Sequence, residues 1–363
     1  MRKEILENNM IYDIIIVGAG PVGCKIGELT AKKGFKVLIL EEHPEVGIPI
    51  QCAGLVSHRI FELSKASRKV VINKVRKARF YCSNNYVELK SKKNVYVIDR
   101  EKFDKELAKR AKSDGAVIKT STRFLGYKRE NSLKIKTNKG NFKTKLLVGA
   151  DGPNSTVANT ARIKLPENKL TGVQTTIKSD YSPKTVELWF DSGISPEFFG
   201  WVIPENKNWA RVGLATNKNV VKCLDNFFIK RFDRKIKCKK ILAGAIRYGL
   251  IDKSVSTRIL LTGDAAAQVK PFSGGGIIYG LIGAEIAAQA CVNSLKNERY
   301  DEEFLKENYD DMWKQKLAWP IRKGLAMSKI IHYFSKDQLS FLFSFLNETN
   351  LKKLLEFTDM DLL

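Results

Sequence analysis

The sequence is short of histidine, of closely spaced cysteines and of acidic residues, and each shortage removes a class of chemistry. Only three histidines, His43, His58 and His332, occur in 363 residues. They are too few and too far apart for a histidine-built metal centre or a histidine-based triad, so hydrogen-bonded loop or surface positions are expected for them. The six cysteines stand singly at 24, 52, 82, 223, 238 and 291. None shows the close spacing of a zinc site or an iron-sulfur cluster, and the pattern fits a reducing, cytoplasmic setting. Repeats, low-complexity tracts and Gly/Ser linkers are absent, and the opening MRKEILENNM lacks the apolar core of a signal peptide. The longest weakly polar stretch, Gly274 to Val292, carries Glu285, Gln289 and five glycines. It is expected to be a buried helix behind a cofactor loop rather than a membrane span.

Acid is outnumbered by base, 39 Asp and Glu against 63 Lys and Arg, leaving a net charge of +24. The excess is mostly lysine and is spread along the chain, so it says little about nucleic acid, and no such partner is expected. A diffuse positive potential concentrates anionic lipid surfaces or phosphate-bearing substrates, and it also describes a lysine-heavy proteome. With 44% hydrophobic residues the chain can bury a large core.

What is present begins with a βαβ pattern. The β-branched run Asp13 to Val17 ends in Gly18-Ala-Gly20-Pro-Val-Gly23, a helix-compatible stretch follows to Lys33, and a second apolar run spans Val37 to Leu40. Glu41 closes that second strand, about 20 residues on, at the spacing of a dinucleotide fingerprint. In such a turn Gly18 makes the bend, Gly20 lets backbone amides approach a pyrophosphate, and Gly23 allows close helix-strand packing, while Glu41 can accept from both ribose hydroxyls. Two further strands break into glycine-aspartate turns, Val148-Gly-Ala-Asp151-Gly152 and Leu261-Thr-Gly263-Asp264. A simple nicotinamide dehydrogenase needs neither. From Val173 through Ala215, and again near Ile241 to Tyr248, the apolar period shifts toward two, which predicts an antiparallel sheet inserted between two parts of the nucleotide domain. After Asp301 the chain reads as amphipathic helices, with Trp313, Trp319, Phe334, Phe341, Phe343 and Phe345 among lysines.

Together these elements resemble the flavoprotein superfamily of aromatic hydroxylases, squalene epoxidases and geranylgeranyl reductases. The resemblance implies FAD as cofactor and covers Ile11 to roughly Ala288. It implies that Asp151 closes a loop beside the cofactor and that Asp264 binds the ribityl chain. It also implies that Pro271-Phe-Ser-Gly274-Gly275-Gly276-Ile277 passes under the isoalloxazine, and that Arg100, opening Arg100-Glu-Lys-Phe103-Asp104, faces the cofactor. Arg100 can also be read as an ordinary helix-start charge. The implied organisation is α/β with an α+β substrate domain: a Rossmann-like FAD-binding domain of the aromatic hydroxylase type over 1–165, with a short strand insert at 70–98. An antiparallel substrate domain follows over 166–257, the FAD-binding domain returns over 258–297, and a helical lobe spans 298–363.

Two segments narrow the resemblance to archaeal geranylgeranyl reductases. Pro49-Ile-Gln-Cys52-Ala-Gly54-Leu-Val-Ser57 is similar to their Pro-x-x-Cys-x-Gly segment, and Phe199-Gly-Trp201-Val-Ile-Pro204, with Gly213-Leu-Ala215 after it, to their aromatic-x-Trp-x-Phe-Pro signature. Phe199, Ile203, Ala215 and Ala267 depart from the usual Tyr, Phe, Gly and Gly. The resemblance implies reduction of isoprenoid double bonds in geranylgeranyl lipid precursors. An isolated alkene accepts hydride only if a proton arrives at the other carbon, and a thiol stays neutral in an apolar tunnel more cheaply than a carboxylic acid. Cys52 is the expected proton donor, although a lone cysteine is also commonly a small core residue. Phe199, Trp201 and Pro204 are the expected walls of the isoprenoid slot, or else strand residues packing one sheet face.

The rival reading is an FAD monooxygenase acting on an aromatic or lipid substrate, which an oxygen requirement would distinguish. A third is a flavin-holding carrier that no longer turns over. NAD(P)H, deazaflavin and ferredoxin all remain open as electron donor, and the net charge favours an acidic ferredoxin in a salt-dependent way. The helix around Trp319 to Lys329 combines basic and apolar faces, so peripheral membrane contact or packing on the substrate domain is expected of it.

Overall fold

The computed structural model of the chain describes residues 10–83 and 85–348. The first half runs β1 (Ile11–Val17), α1 (Pro21–Ala31), β2 (Val37–Leu40), β3 (Leu55–Val56), α2 (Arg59–Ser64), β4 (Val71–Cys82), β5 (Asn85–Ile98), α3 (Arg100–Ser113), β6 (Val117–Lys119), β7 (Phe124–Arg129), β8 (Leu133–Thr137) and β9 (Gly140–Gly149). The second runs α4 (Thr156–Thr160), β10 (Lys169–Lys178), β11 (Thr185–Trp189), β12 (Gly200–Pro204), β13 (Trp209–Thr216), α5 (Val220–Phe232), β14 (Leu242–Arg247), β15 (Val255–Ser256), β16 (Ile259–Leu261), α6 (Ile277–Asn297), α7 (Glu302–Leu305), α8 (Asp311–Tyr333) and α9 (Lys336–Glu348).

The first sheet has the order β15-β16-β9-β1-β2-β6, and its central pairs are parallel. Its strands are continuous apolar runs because helices cover both faces, and Ile14, Ile15 and Ile16 are fully buried. Helix α6 is apolar on nearly all sides and packs into this core. It is long and apolar enough to cross a membrane, but 67% of its most apolar window is buried in the protein, as a core helix requires.

The second sheet has the order β14-β10-β13-β12-β11-β4-β5-β3. Two expectations change here. Segment 70–98, expected as short strands within the nucleotide-binding part, forms β4 and β5 of 12 and 14 residues, and both join the second sheet. Because β4 pairs with β11 in parallel, that sheet is mixed rather than antiparallel throughout. Alternation reveals that a strand exists; the partner it meets lies about a hundred residues away and leaves no local mark. One face of this sheet is covered by α5, where Phe227 and Phe228 are sealed against Val173, Val202 and Leu214. The other face carries Leu170, Phe199, Trp201 and Ile203.

Trp313 is fully buried, its indole N–H donating to Ser254 Oγ at 2.9 Å, and Phe343 is buried as well. Trp319, Tyr333 and Phe341 are 72%, 89% and 74% exposed, on the same two helices as Arg322, Lys323 and Lys329. Residues 1–9 and 349–363, the ends of the expected first domain and helical lobe, lie outside the described residues.

Candidate cofactor and active site

Strand register aligns the first part of the site. Val17 pairs with Leu40 and with Gly149, and Gly149 pairs with Leu261, so four parallel strands end in one row. The residues that follow, Gly18, Glu41, Ala150 and Thr262, therefore share the carboxyl edge of the sheet, where open α/β sheets bind ligands. Gly18 has φ +101°, and a side chain there would run into the Ala150 carbonyl. Gly23 has no room either, because its Cβ would strike the Gly18 carbonyl oxygen. Gly20 differs: nothing lies within 4 Å of where its Cβ would stand, which leaves a cradle at the N-terminus of α1. Glu41 accepts from Ala19 N at 2.9 Å and from His43 N at 3.0 Å, and it meets His43 Nδ1 at 2.7 Å. The carboxylate is thus aimed by the protein and retains lone-pair capacity for a hydroxyl.

Asp151 is occupied within its own loop. Ser155 Oγ donates to it at 2.6 Å and Val157 N at 3.0 Å, while burial pushes its pKa up against these bonds. It shapes the turn rather than offering a free carboxylate. Asp264 is deep in the fold yet not sealed, and no hydrogen bond to its carboxylate is formed by the described residues. Burial raises its pKa, and the charge of Arg100 opposes the rise. A side chain at Gly276 would collide with Asp264 Oδ1, so this glycine lets the cofactor loop close on the acid. Gly274 takes φ +68° against Phe198 and Ile246, a Cβ at Gly275 would meet nothing nearer than Ser273 Oγ at 3.6 Å, and Ile277 begins α6. The turn at Asp264 is braced by Gln268, which accepts from Gly263 N at 2.8 Å and donates to Tyr309 Oη at 3.1 Å.

Arg100 opens α3 and forks onto Asp104, with Nη2 at 3.0 Å from Oδ2 and Nε at 3.2 Å from Oδ1. Burial works against its charge, but the Asp104 carboxylate and the Cys52 sulfur outweigh it and hold its pKa above the ordinary value. Cys52 is half-buried, and Gly54 N donates to its Sγ at 3.3 Å. The expected apolar tunnel around this sulfur is therefore corrected: an amide and a guanidinium face it. Its loop is tied to the second sheet, because Gln174 Nε2 donates to the Cys52 carbonyl at 3.2 Å and Arg211 Nη1 to the Ala53 carbonyl at 2.6 Å.

Gln174, Gly213 and Trp201 form one row across β10, β13 and β12. The glycine is required by its neighbours: a Cβ there would lie 2.6 Å from the Gln174 side chain and 2.7 Å from the Trp201 ring, and would strike the Val173 carbonyl. Gly213→Ala is accordingly expected to cost about 1–3 kcal/mol of stability, with a changed tryptophan spectrum. An unshifted urea midpoint would count against this packing. Toward one end of the sheet face, Phe198 stacks on Phe199 at 4.1 Å, Phe190 lies 5.4 Å from Phe199, and Phe272 of the cofactor loop lies 6.3 Å from Phe190. Phe199 and Trp201 are thus brought beside the cofactor loop, and Pro204 ends β12 beyond them. Cys24, Cys82, Cys223 and Cys291 are buried core thiols, burial pushing Cys291 up to about 12.

Sequence reasoning passed over Gln174, Arg211, Asp104 and Gln268. Two had a signal. Gln174 is a polar residue at an inward strand position, in phase with Leu170, and Asp104 stands four residues after Arg100 on a helix.

The residues fit FAD. The Gly20 cradle and the unpartnered Asp264 carboxylate are places where a ligand completes what the protein leaves open. Comparison with known proteins agrees. The family described as FAD binding domain matches residues 11–298. A protein of Methanocaldococcus jannaschii described as uncharacterized is 32% identical, covering 95% of this chain and 90% of that one. The digeranylgeranylglycerophospholipid reductase of the same organism is 30% identical, covering 94% and 92%. Among solved structures, a geranylgeranyl bacteriochlorophyll reductase-like protein of Thermoplasma acidophilum superposes with a TM-score of 0.86 at 25% identity, covering 97% and 94%. The p-nitrophenol 4-monooxygenase of Pseudomonas putida, at 0.77 and 16% identity over 97% and 98%, shares the fold. The chain is an FAD-dependent oxidoreductase and belongs to the geranylgeranyl reductase family of FAD-binding flavoproteins.

Proposed function

We propose that the protein saturates carbon-carbon double bonds in the geranylgeranyl chains of lipid precursors, on an archaeal glycerophospholipid. The observation that carries this reading is Cys52, a thiol beside Arg100 whose loop is tied to an aromatic-lined sheet face by Gln174 at its own carbonyl and by Arg211 at the Ala53 carbonyl. Bound FAD, when reduced, supplies the hydride. The chain's own residues do the rest. Aromatic walls at Phe199 and Trp201 contact hydrocarbon without asking for polar partners. The Cys52 thiol gives its proton to the carbon that does not receive hydride, and the thiolate left behind sits beside the Arg100 guanidinium, whose charge Asp104 secures. Solvent then restores the S–H bond, and an external electron donor restores the reducing equivalents. The reductase name carried by the Methanocaldococcus jannaschii relative supports the substrate class.

The test is anaerobic incubation of the dithionite-reduced protein with geranylgeranylated phospholipid, following flavin reoxidation and substrate mass together. Gain of H2 per double bond is expected. A flavin that stays reduced until oxygen is admitted would sink the reading and bring forward the monooxygenase chemistry that the shared fold also hosts. We also propose peripheral membrane contact through the exposed Trp319, Tyr333 and Phe341 with their basic neighbours. In the same assay with substrate in anionic vesicles, the rate is then expected to fall as salt is raised, and indifference to salt counts against the contact.

A further inference from the structure

The face of the second sheet is divided along its length. The row Gln174-Gly213-Trp201, against which the Cys52 loop is tied, runs across the middle. Toward the Leu170 end of β10 the face is hydrocarbon and aromatic, ending at Phe198, Phe199 and Phe272. Toward the Lys178 end it opens into a cavity of about 730 Å³ between β10, β13 and the loop that joins α5 to β14. That loop is Arg234-Lys235-Ile236-Lys237-Cys238-Lys239-Lys240, five cations in seven residues, and it is fastened over the cavity where Thr175 Oγ1 donates to the Lys240 carbonyl at 2.7 Å. Among the described residues none of these five side chains has an acidic partner, and Arg234, Lys237 and Lys240 are exposed. The two acids on the cavity wall are already engaged, Glu205 by Arg211 at 2.8 Å and Asp99 by Lys102 N at 3.1 Å.

A second observation points to a ligand. Gln174, only 6% exposed, lines the cavity, and its Nε2 is committed to the Cys52 carbonyl, so its orphaned Oε1 is a fixed, buried acceptor. Such a group is satisfied when a ligand brings an O–H. A phosphate monoester near neutral pH offers both features, anionic oxygens and a titrating O–H.

We infer that this cavity binds the phosphate end of the substrate while its hydrocarbon chain runs the opposite way, past Cys52 and along the aromatic end of the same face. The inference rests on the reading of the substrate as a prenyl lipid and adds its polarity and orientation. The loop cations recognise the phosphate, and Gln174 ties that recognition to the loop that carries the thiol.

The test uses the flavin-loaded protein, so that the Gly18–Gly23 turn is already filled, and the variant Arg234→Gln/Lys237→Gln, whose exposed side chains leave the core untouched. Calorimetric titration with inorganic pyrophosphate is expected to show binding that weakens about tenfold or more in the variant. KM for phosphorylated geranylgeranylglycerol is expected to rise by a similar factor with kcat kept, and KM for the dephosphorylated compound to stay unchanged. Pyrophosphate that binds both proteins equally, or neither, overturns the site. Variant-sensitive pyrophosphate binding with an unchanged KM overturns the assignment to the lipid. If neither prenyl compound is reduced but pyrophosphate binding still depends on Arg234 and Lys237, the site stands and the reductase reading falls.

Discussion

Cys52→Ala is expected to lower the rate of double-bond reduction by about 10²–10⁴-fold, with flavin content and flavin reduction by dithionite unchanged. The size follows from the chemistry. An isolated alkene has no adjacent group to absorb the charge that hydride addition creates, so loss of the proton source falls on the chemical step alone. The loop itself should survive the change, because its anchors are backbone carbonyls: Cys52 O to Gln174, and Ala53 O to Arg211. The Gly54 N–H, which donates to Sγ at 3.3 Å, and the Arg100 guanidinium lose the sulfur as a partner, and Arg100 keeps its fork onto Asp104. Single-turnover mixing of reduced enzyme with substrate isolates the step. A variant that reoxidises at the parent rate would return Cys52 to the class of small core residues. Cys52→Ser offers a second reading, since a hydroxyl keeps the hydrogen-bond geometry but is a far weaker acid.

Asp264→Asn is expected to leave the protein largely free of flavin after purification and, in the same preparation, to give an apoprotein that melts higher than the parent apoprotein. The two effects have one cause. In the parent, the carboxylate is desolvated without a hydrogen bond from the described residues, and burial raises its pKa although Arg100 opposes the rise. A group whose folded pKa is raised contributes stability below its unfolded value and loses it as pH climbs through the folded value. At neutral pH the buried acid therefore weighs against the folded apoprotein, and asparagine removes that weight. The difference in Tm is expected to close below about pH 4, where the unfolded carboxyl is protonated as well. Flavin absorbance per chain and melting curves across pH read both outcomes. Undiminished flavin would sink the ribityl assignment, and a lower apoprotein Tm at neutral pH would sink the electrostatic account.

The sequence by itself determined the dinucleotide turn, because its requirements are local. Gly18 must take a positive φ beside a carbonyl, Gly23 must let helix and strand touch, and Glu41 must end the next strand; each is a matter of one residue and its near neighbours. The apolar runs of β1, β2, β9 and β16, and the overall α/β class, follow equally from residue periodicity and from the need to bury those runs. The cysteine loop and the tryptophan strand were legible as segments, and so was the aromatic character of the sheet face at Phe199 and Trp201.

Only the tertiary structure decided how these segments meet. That β4 and β5 leave the nucleotide-binding part and extend the second sheet depends on which strand edge they find, a pairing across about a hundred residues. Gly213 looked like part of a motif, but its reason is the Trp201 ring and the Gln174 side chain that close over it from two other strands. The resemblance implies an apolar-tunnel thiol at Cys52, yet Arg100, paired with Asp104, arrives beside it from a helix some fifty residues on. Arg211 carries no local signature, and Gln174 shows only a polar residue at an inward strand position, because their partners are carbonyls of a loop that sequence separates from them by more than a hundred residues. Backbone conformation and strand character are written in neighbours along the chain; hydrogen-bond satisfaction and electrostatic pairing are settled by neighbours in space.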